Sequence, residues 1–364
     1  MTFPSFLIPF ICGLLATAAL ASPANTERIL KSYEVVMAKW NTDMRISTSP
    51  EERQAALKAR PDPATYATKI WQEISQSLAE EWSLDAAAWF IRISNGLATT
   101  LPNGASAPAF AQEIDAIRKA VETHHMSSKK LIPMCIALVS SQDPRSLKLL
   151  EKIQAEHPDP STQGVAALGA AMLLKGLGED PELLRKRLGY IRKSIIQSSE
   201  ITLEGTSVAK LAEDELYIIR YLSKGRTAPD LVGIDTSSRA LNLSSFAGKV
   251  IILLFWNSSI QDVERTLTIT SDLEKKFRDR PLVIIGVNSD PSEKLRAMQA
   301  DETLTWPNFT DPENKLAAEY RVGSWPLVYV LDGERKIHYV GPPGSFVELT
   351  AEALLSDSKS PAKE

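Results

Sequence analysis

Two textures divide the chain. Over roughly 25–222, apolar residues recur at three- and four-residue steps. Ile29, Leu30, Tyr33, Val36, Met37 and Trp40 form one series, and Tyr66, Ile70, Ile74 and Leu78 another. Ala86, Trp89, Phe90 and Ile93 follow, then Leu147, Leu150 and Ile153, then Leu184, Leu188, Ile191 and Ile195. That spacing places each series on one face of a helix. Asp-Pro pairs mark helix starts at Asp62-Pro63, Asp143-Pro144, Asp159-Pro160 and Asp180-Pro181. An aspartate oxygen caps the first free amides, and proline suits the first helical position because no N–H is needed there. Short helices with short loops predict antiparallel pairs stacked side by side, as in LLEKIQAEHPDPSTQGVAALGAAMLLK. No strict period appears, so the array matches no named repeat. Such arrays can bind peptides or proteins on a concave face. A packed helical spacer is the plainer reading, and both stay open.

Near Ser223 the pattern changes. KGRTAPDLVGID is a loop rich in Gly, Pro and Asp and marks a boundary. An unbroken apolar run then predicts a buried strand over Val250–Phe255, a helix over 260–278, and a second buried strand in PLVIIGVNSD. A second helix begins in PSEKLRAMQAD. Leu327–Leu331 and Lys336–Val340 predict a hairpin turning at Asp332-Gly333, and ELTAEALLSD predicts a closing helix. Strands alternating with helices, then a hairpin and a helix, describe a small α/β domain. SDSKSPAKE reads as a disordered polar tail.

With 364 residues the chain can bury more than one core. Its formal charge of -4 and lack of basic runs give no footprint for nucleic acid. MTFPSFLIPFICGLLATAALAS reads as an export signal, with an apolar stretch from Phe6 to Leu20 and cleavage after Ala21. The run is short for a bilayer span, so no integral membrane span remains after cleavage. Pro9, Phe10 and Ile11 before Cys12 do not make a lipobox. Cleavage leaves Cys135 as the one cysteine, which cannot form an internal disulfide. It lies in the apolar run KKLIPMCIALVSS, which predicts a buried thiol; a thiol poised for a mixed disulfide is the sharper alternative. His124, His125, His157 and His338 show no metal-ligand spacing, so neither metal nor cofactor is expected.

The second half resembles a known family. GRTAPDLVGIDTSSRALNLSSFAGKVIILLFW, then IIGVNSD, then YRVGSWPLVYVLDGERKIHYVG follow the order and spacing of a thioredoxin-fold domain of the exported TlpA/ResA and AhpC/TSA-like group. The resemblance covers about 225–355 and implies a cis peptide at Trp325-Pro326. In that group FWATWCPPC carries the chemistry. Here Phe255 and Trp256 agree, but the cysteine positions fall on Ile260 and Val263, Ser259 replaces the usual Trp, and Leu254 stands where thioredoxins often bury an acid.

A helix N-terminus lowers a thiol's pKa, and the resulting thiolate attacks a disulfide. Ile260 and Val263 can do neither. Ser258 and Ser259 would need a base, and no histidine is near in sequence. They instead offer capping boxes, Ser259 with Asp262 or Ser258 with Gln261. The resemblance also places an extended-peptide groove beside the cis-proline. Trp256, Ser259, Ile260, Trp325 and Pro326 are therefore the candidate binding residues, against the alternative that both tryptophans are core.

The expectation is a multi-domain protein: signal segment 1–21, an all-α helical array over 22–223, an α/β thioredoxin-like domain over 224–355, and a tail over 356–364. It would be exported to the periplasm or cell envelope of a bacterium and would bind protein or peptide without redox chemistry. A thiol-disulfide or peroxide oxidoreductase is the alternative that the family resemblance carries.

Overall fold

The structure, a computed structural model, describes residues 22–47, 49–178, 180–260 and 262–357. The expected signal segment, Cys12, Gln261 and residues 358–364 of the expected tail lie outside these. Ser356 and Asp357, assigned to that tail, end the last helix.

The first half is helical. It runs through α1 (Pro23–Ile46), α2 (Pro50–Lys58), α3 (Pro63–Ile74), α4 (Ser83–Ser94), α5 (Ala111–His124), α6 (Leu131–Ser140), α7 (Pro144–Glu156), α8 (Pro160–Lys175) and α9 (Pro181–Ser198). The Asp-Pro starts act as read: Asp62, Asp143, Asp159 and Asp180 each accept amides of the first turn. α8 is buried nearly all round and packs against α6, α7 and α9. Its small residues allow that. A Cβ on Gly164 would lie 1.9 Å from the Ser198 hydroxyl of α9, so only glycine permits this approach.

Two hairpins interrupt the helices: β1 (Ala98–Thr100) with β2 (Ser106–Pro108), and β3 (Thr202–Leu203) with β4 (Thr206–Ser207). Neither was foreseen. They are two or three residues long and largely exposed, so they carry no period-two alternation to detect.

The chain separates into two compact units between Val208 and Ala209. The composition change near Ser223 lies later, because α10 (Val208–Tyr217) and the π-turn Ile218–Leu222 belong with the second unit. Leu222 is fully packed in its core, with Tyr217 and Ile218 against it.

That unit is built on a five-stranded sheet. After the hairpin of β5 (Val232–Ile234) and β6 (Ala240–Asn242) come β7 (Val250–Trp256), α11 (Val263–Phe277), β8 (Leu282–Asn288), α12 (Ser292–Ala300) and β9 (Asn308–Thr310). α13 (Lys315–Glu319), β10 (Leu327–Leu331), β11 (Ile337–Gly341) and α14 (Ser345–Asp357) complete it. The order is β11-β10-β7-β8-β9; β7, β8 and β9 run parallel, and β10 is antiparallel to both its neighbours. Every residue of β7 is buried, which explains its unbroken apolar run. Ile251, Leu253 and Phe255 face a core shared with Leu222, Leu231 and Tyr320. Ile252, Leu254 and Trp256 face the other, shared with Phe277 of α11 and with Val347 and Ala351 of α14. The strand pattern thus comes from two covered faces with period-two alternation between them.

Candidate functional site

The site to inspect is where β7 ends and α11 begins. The predicted helix 260–278 starts later, at Val263. Asp262 precedes it in the left-handed region (φ 58) and makes no side-chain cap, so the Ser259–Asp262 capping box does not form. The Ser258–Gln261 box lies partly outside the described residues.

A different set of bonds holds the segment. The Ser258 amide donates to Asp290 Oδ2 at 2.8 Å, and the Ser258 hydroxyl donates to Oδ1 of the same carboxylate at 2.6 Å. Asn288 Nδ2 adds a third donor at 3.1 Å, and the Asp290 amide returns a bond to Asn288 Oδ1 at 2.7 Å. Lys294 Nζ donates to the Ser258 oxygen. Asn257 Nδ2 reaches Ser289 Oγ at 3.3 Å, and Asn257 Oδ1 accepts the Ser259 amide at 2.9 Å. Two loops, one after β7 and one after β8, are thus laced across the carboxyl ends of parallel strands, where open α/β sheets place their sites. Sequence reading missed Asp290 as a partner of Ser258. The available signal was a run of polar residues, Asn288 to Asp290, directly after a buried strand.

The arrangement holds the Ser258 hydroxyl between the Asp290 carboxylate and Lys294 Nζ. The hydroxyl proton goes to the carboxylate, and no histidine adjoins it: His338 is on β11, bound to Asp332 Oδ2 at 2.9 Å. Ile260 and Val263 are half-buried and pack against the core on the α11 side of the sheet. Among the described residues no cluster of His, Cys, Asp and Glu is arranged to hold a metal.

The candidate binding residues do not all meet. Trp256 is fully buried in the α11-side core, and its indole Nε1 donates to Asn308 Oδ1 at 3.0 Å. Its assignment as a binding residue is therefore corrected: it is core. Gly286 makes room for that bond, since a Cβ there would fall 1.7 Å from Asn308 Oδ1. Trp325 is on the opposite face, half-buried, with its ring edge-on to Phe255 at 6.4 Å. It borders a cluster in which Tyr320 lies 5.2 Å from both Phe255 and Tyr329. Burial pushes the Tyr320 and Tyr329 hydroxyls well above the usual tyrosine pKa. Trp325-Pro326 is cis. Ser259 is exposed, Ile260 and Pro326 half-buried. The strand pairing Leu327 with Phe255 brings the cis-proline loop to the same end of the sheet as Asn257 and Ser258. Among the described residues, the backbone groups of Gly323, Ser324 and Trp325 take no hydrogen-bond partner.

These features agree with what comparison finds. The sequence model of the AhpC/TSA family matches residues 224–340. The C-terminal domain is thioredoxin-like, of the TlpA/ResA type. The thiol-disulfide oxidoreductase ResA of Bacillus cereus is 25% identical over 114 residues, 31% of this chain and 66% of that protein. The thioredoxin-like protein YneN of Bacillus subtilis is 29% identical over 115 residues, 30% of this chain and 66% of its own. The match thus spans just under two thirds of either relative. Among solved structures, the thioredoxin domain of a thiol-disulfide oxidoreductase from Bacteroides vulgatus is 23% identical, covering 36% of this chain and 98% of its own, at a TM-score of 0.33. The thioredoxin-like domain here has no cysteine between Cys135 and the end of the chain.

Cys135 offers no substitute. It is fully buried in α6, and burial pushes its thiol up to about 12, so the thiolate is absent at neutral pH.

Proposed function

We propose that the thioredoxin-like domain is redox-inert and holds protein or extended peptide segments at its cis-proline loop. One observation carries this reading: Ile260 and Val263 occupy the cysteine positions and pack into the core, leaving no thiol to attack a disulfide. The unpaired backbone of Gly323, Ser324 and Trp325 supports a binding role, since such groups are satisfied by an added strand. The protein is exported after cleavage behind Ala21 and works in the bacterial periplasm or envelope. Among the described residues no helix is long and apolar enough to cross a membrane.

The second reading, thiol-disulfide oxidoreductase, is favoured by the activity named for the relatives. Fold alone does not carry it, because the chemistry belongs to the missing thiols.

Disulfide reductase turnover by residues 22–364, with a Cys135→Ser control, separates the two. The inert reading expects no turnover from either protein. Turnover lost in Cys135→Ser would sink it. Trp325→Ala is expected to weaken partner binding with the far-ultraviolet circular dichroism unchanged; unfolding instead would make Trp325 a core residue.

A further inference from the structure

A separate surface lies along the outer edge of the sheet, beside α14. β11 is an edge of the sheet, and its outer side is covered only at its start. The Gly225 amide donates to the Ile337 carbonyl at 2.7 Å, the Ile337 amide to the Arg226 carbonyl at 2.8 Å, and Thr227 bridges Lys336. Tyr339, Val340 and Gly341 pair with β10 alone. An open strand edge is a template for another strand.

Beside this edge lies a groove of about 320 Å³, lined by Lys224, His338, Leu349, Thr350, Ala353 and Leu354. α14 forms one wall and is apolar on both sides. Val347, Ala351 and Leu355 are buried against the sheet, while Phe346 and Leu349 remain 69% and 59% exposed. A helix carrying only its own domain's core would not need that second apolar face.

The charge around the groove is one-sided. Lys224, Arg226 and Lys336 are exposed, and none makes an ion pair among the described residues. Most nearby acids are engaged: Asp332 holds His338, while Glu348 and Glu352 both hold Lys276. Glu334, in the hairpin turn, is the exposed exception.

We propose that this edge and groove dock an extended segment of a partner protein that carries both apolar and acidic residues. The segment adds as a strand along Tyr339–Gly341. Its apolar side chains enter the groove beside Leu349 and Ala353, and its acids meet Lys224 in the groove wall and Lys336 at the start of the edge. The open stretch Tyr339–Gly341 pairs with Val330–Val328 and so runs toward the cis-proline end of β10, but the groove lies on the α14 face of the sheet and Trp325 packs on the other face. The inference therefore stands apart from the peptide-holding reading of the cis-proline loop.

The test uses residues 22–364 and two fluorescein-labelled peptides, one alternating valine with glutamate and one alternating valine with lysine, followed by fluorescence anisotropy. The glutamate peptide is expected to bind and the lysine peptide to bind far less. Lys224→Glu with Lys336→Glu is expected to weaken the glutamate peptide about tenfold or more and to improve the lysine peptide. Leu349→Asp is expected to weaken the glutamate peptide without loss of fold, since the side chain is exposed. Trp325→Ala is expected to leave it unchanged. No binding, equal binding of both peptides, or indifference to the charge reversal would overturn the proposal. So would loss of binding in Trp325→Ala, which would place the peptide at the cis-proline loop. Sedimentation showing a dimer that Leu349→Asp dissociates would also overturn it, naming a second copy as the occupant.

Discussion

Ser258 gives both its amide and its hydroxyl to one carboxylate, that of Asp290, at 2.8 and 2.6 Å. The pair ties the loop after β7 to the loop after β8, at the point where relatives of this domain are expected to carry their cysteines. In this chain that point holds a fixed crosslink of hydrogen bonds.

Removing the carboxylate exposes the value of that crosslink. Asp290 is buried, so Asp290→Ala leaves the Ser258 amide and hydroxyl without their acceptor. The expected loss is about 1–3 kcal/mol in urea unfolding of the second unit. Amide exchange at Ser258 and Ser259 should quicken before global unfolding. Unchanged exchange there would mean the loop is held by other means.

Returning thiols tests the scaffold. α11 begins at Val263, so a thiol placed there meets the positive end of the helix, while one at Ile260 lies ahead of the first turn. Val263→Cys is therefore expected to alkylate at lower pH than Ile260→Cys. The opposite order would show that the helix dipole does not govern this site. The double variant should gain disulfide reductase turnover that the parent lacks.

Cys135 should be silent until the helical unit opens. A native protein is expected to resist thiol reagents near neutral pH and to react promptly in urea. Its folded pKa is raised by burial from an ordinary 9.0 to about 12. The folded state therefore favours the protonated thiol. This contribution to stability is complete below about pH 9 and is lost as pH climbs toward about 12. Comparison with Cys135→Ala from about pH 8 to about pH 11 should show a steeper alkaline decline in the parent.

Asp159 gives an acid-side counterpart. Its carboxylate accepts the Thr162 hydroxyl at 2.8 Å and the Thr162 and Ser161 amides at 3.0 and 3.3 Å. The Thr162 hydroxyl is the largest cause holding its pKa below the usual 3.8; burial opposes, and the two amides add to the lowering. A depressed folded pKa stabilises above the ordinary carboxylate value and loses that support as pH falls through the folded one. Asp159→Ala is expected to cost about 1 kcal/mol at neutral pH, with the difference from the parent shrinking in acid below about pH 4. A constant difference would mean the cap is not the cause.

How legible was the molecule? The Asp-Pro helix starts were, because a cap and its proline are neighbours in sequence and act within one turn. The buried strands of the thioredoxin-like sheet were legible too, because burial on both faces writes an unbroken apolar run. The absence of cysteines could be read at Ile260 and Val263 directly. The short hairpins within the helical half could not, since exposed strands of two or three residues impose no pattern.

What only the tertiary structure decided are pairings across distance. Trp256 and Trp325 look alike as aromatic neighbours of the site. Strand alternation and register send the first into the core, bonded to Asn308 through the space left at Gly286, and the second to the opposite face beside Phe255. Ser258 reads as a helix cap, yet its partner is Asp290 on another strand's loop, because the parallel pairing of β7 and β8 sets those two loops side by side. Local chemistry fixed which residues could form elements, and the sheet's register then chose which of them would meet.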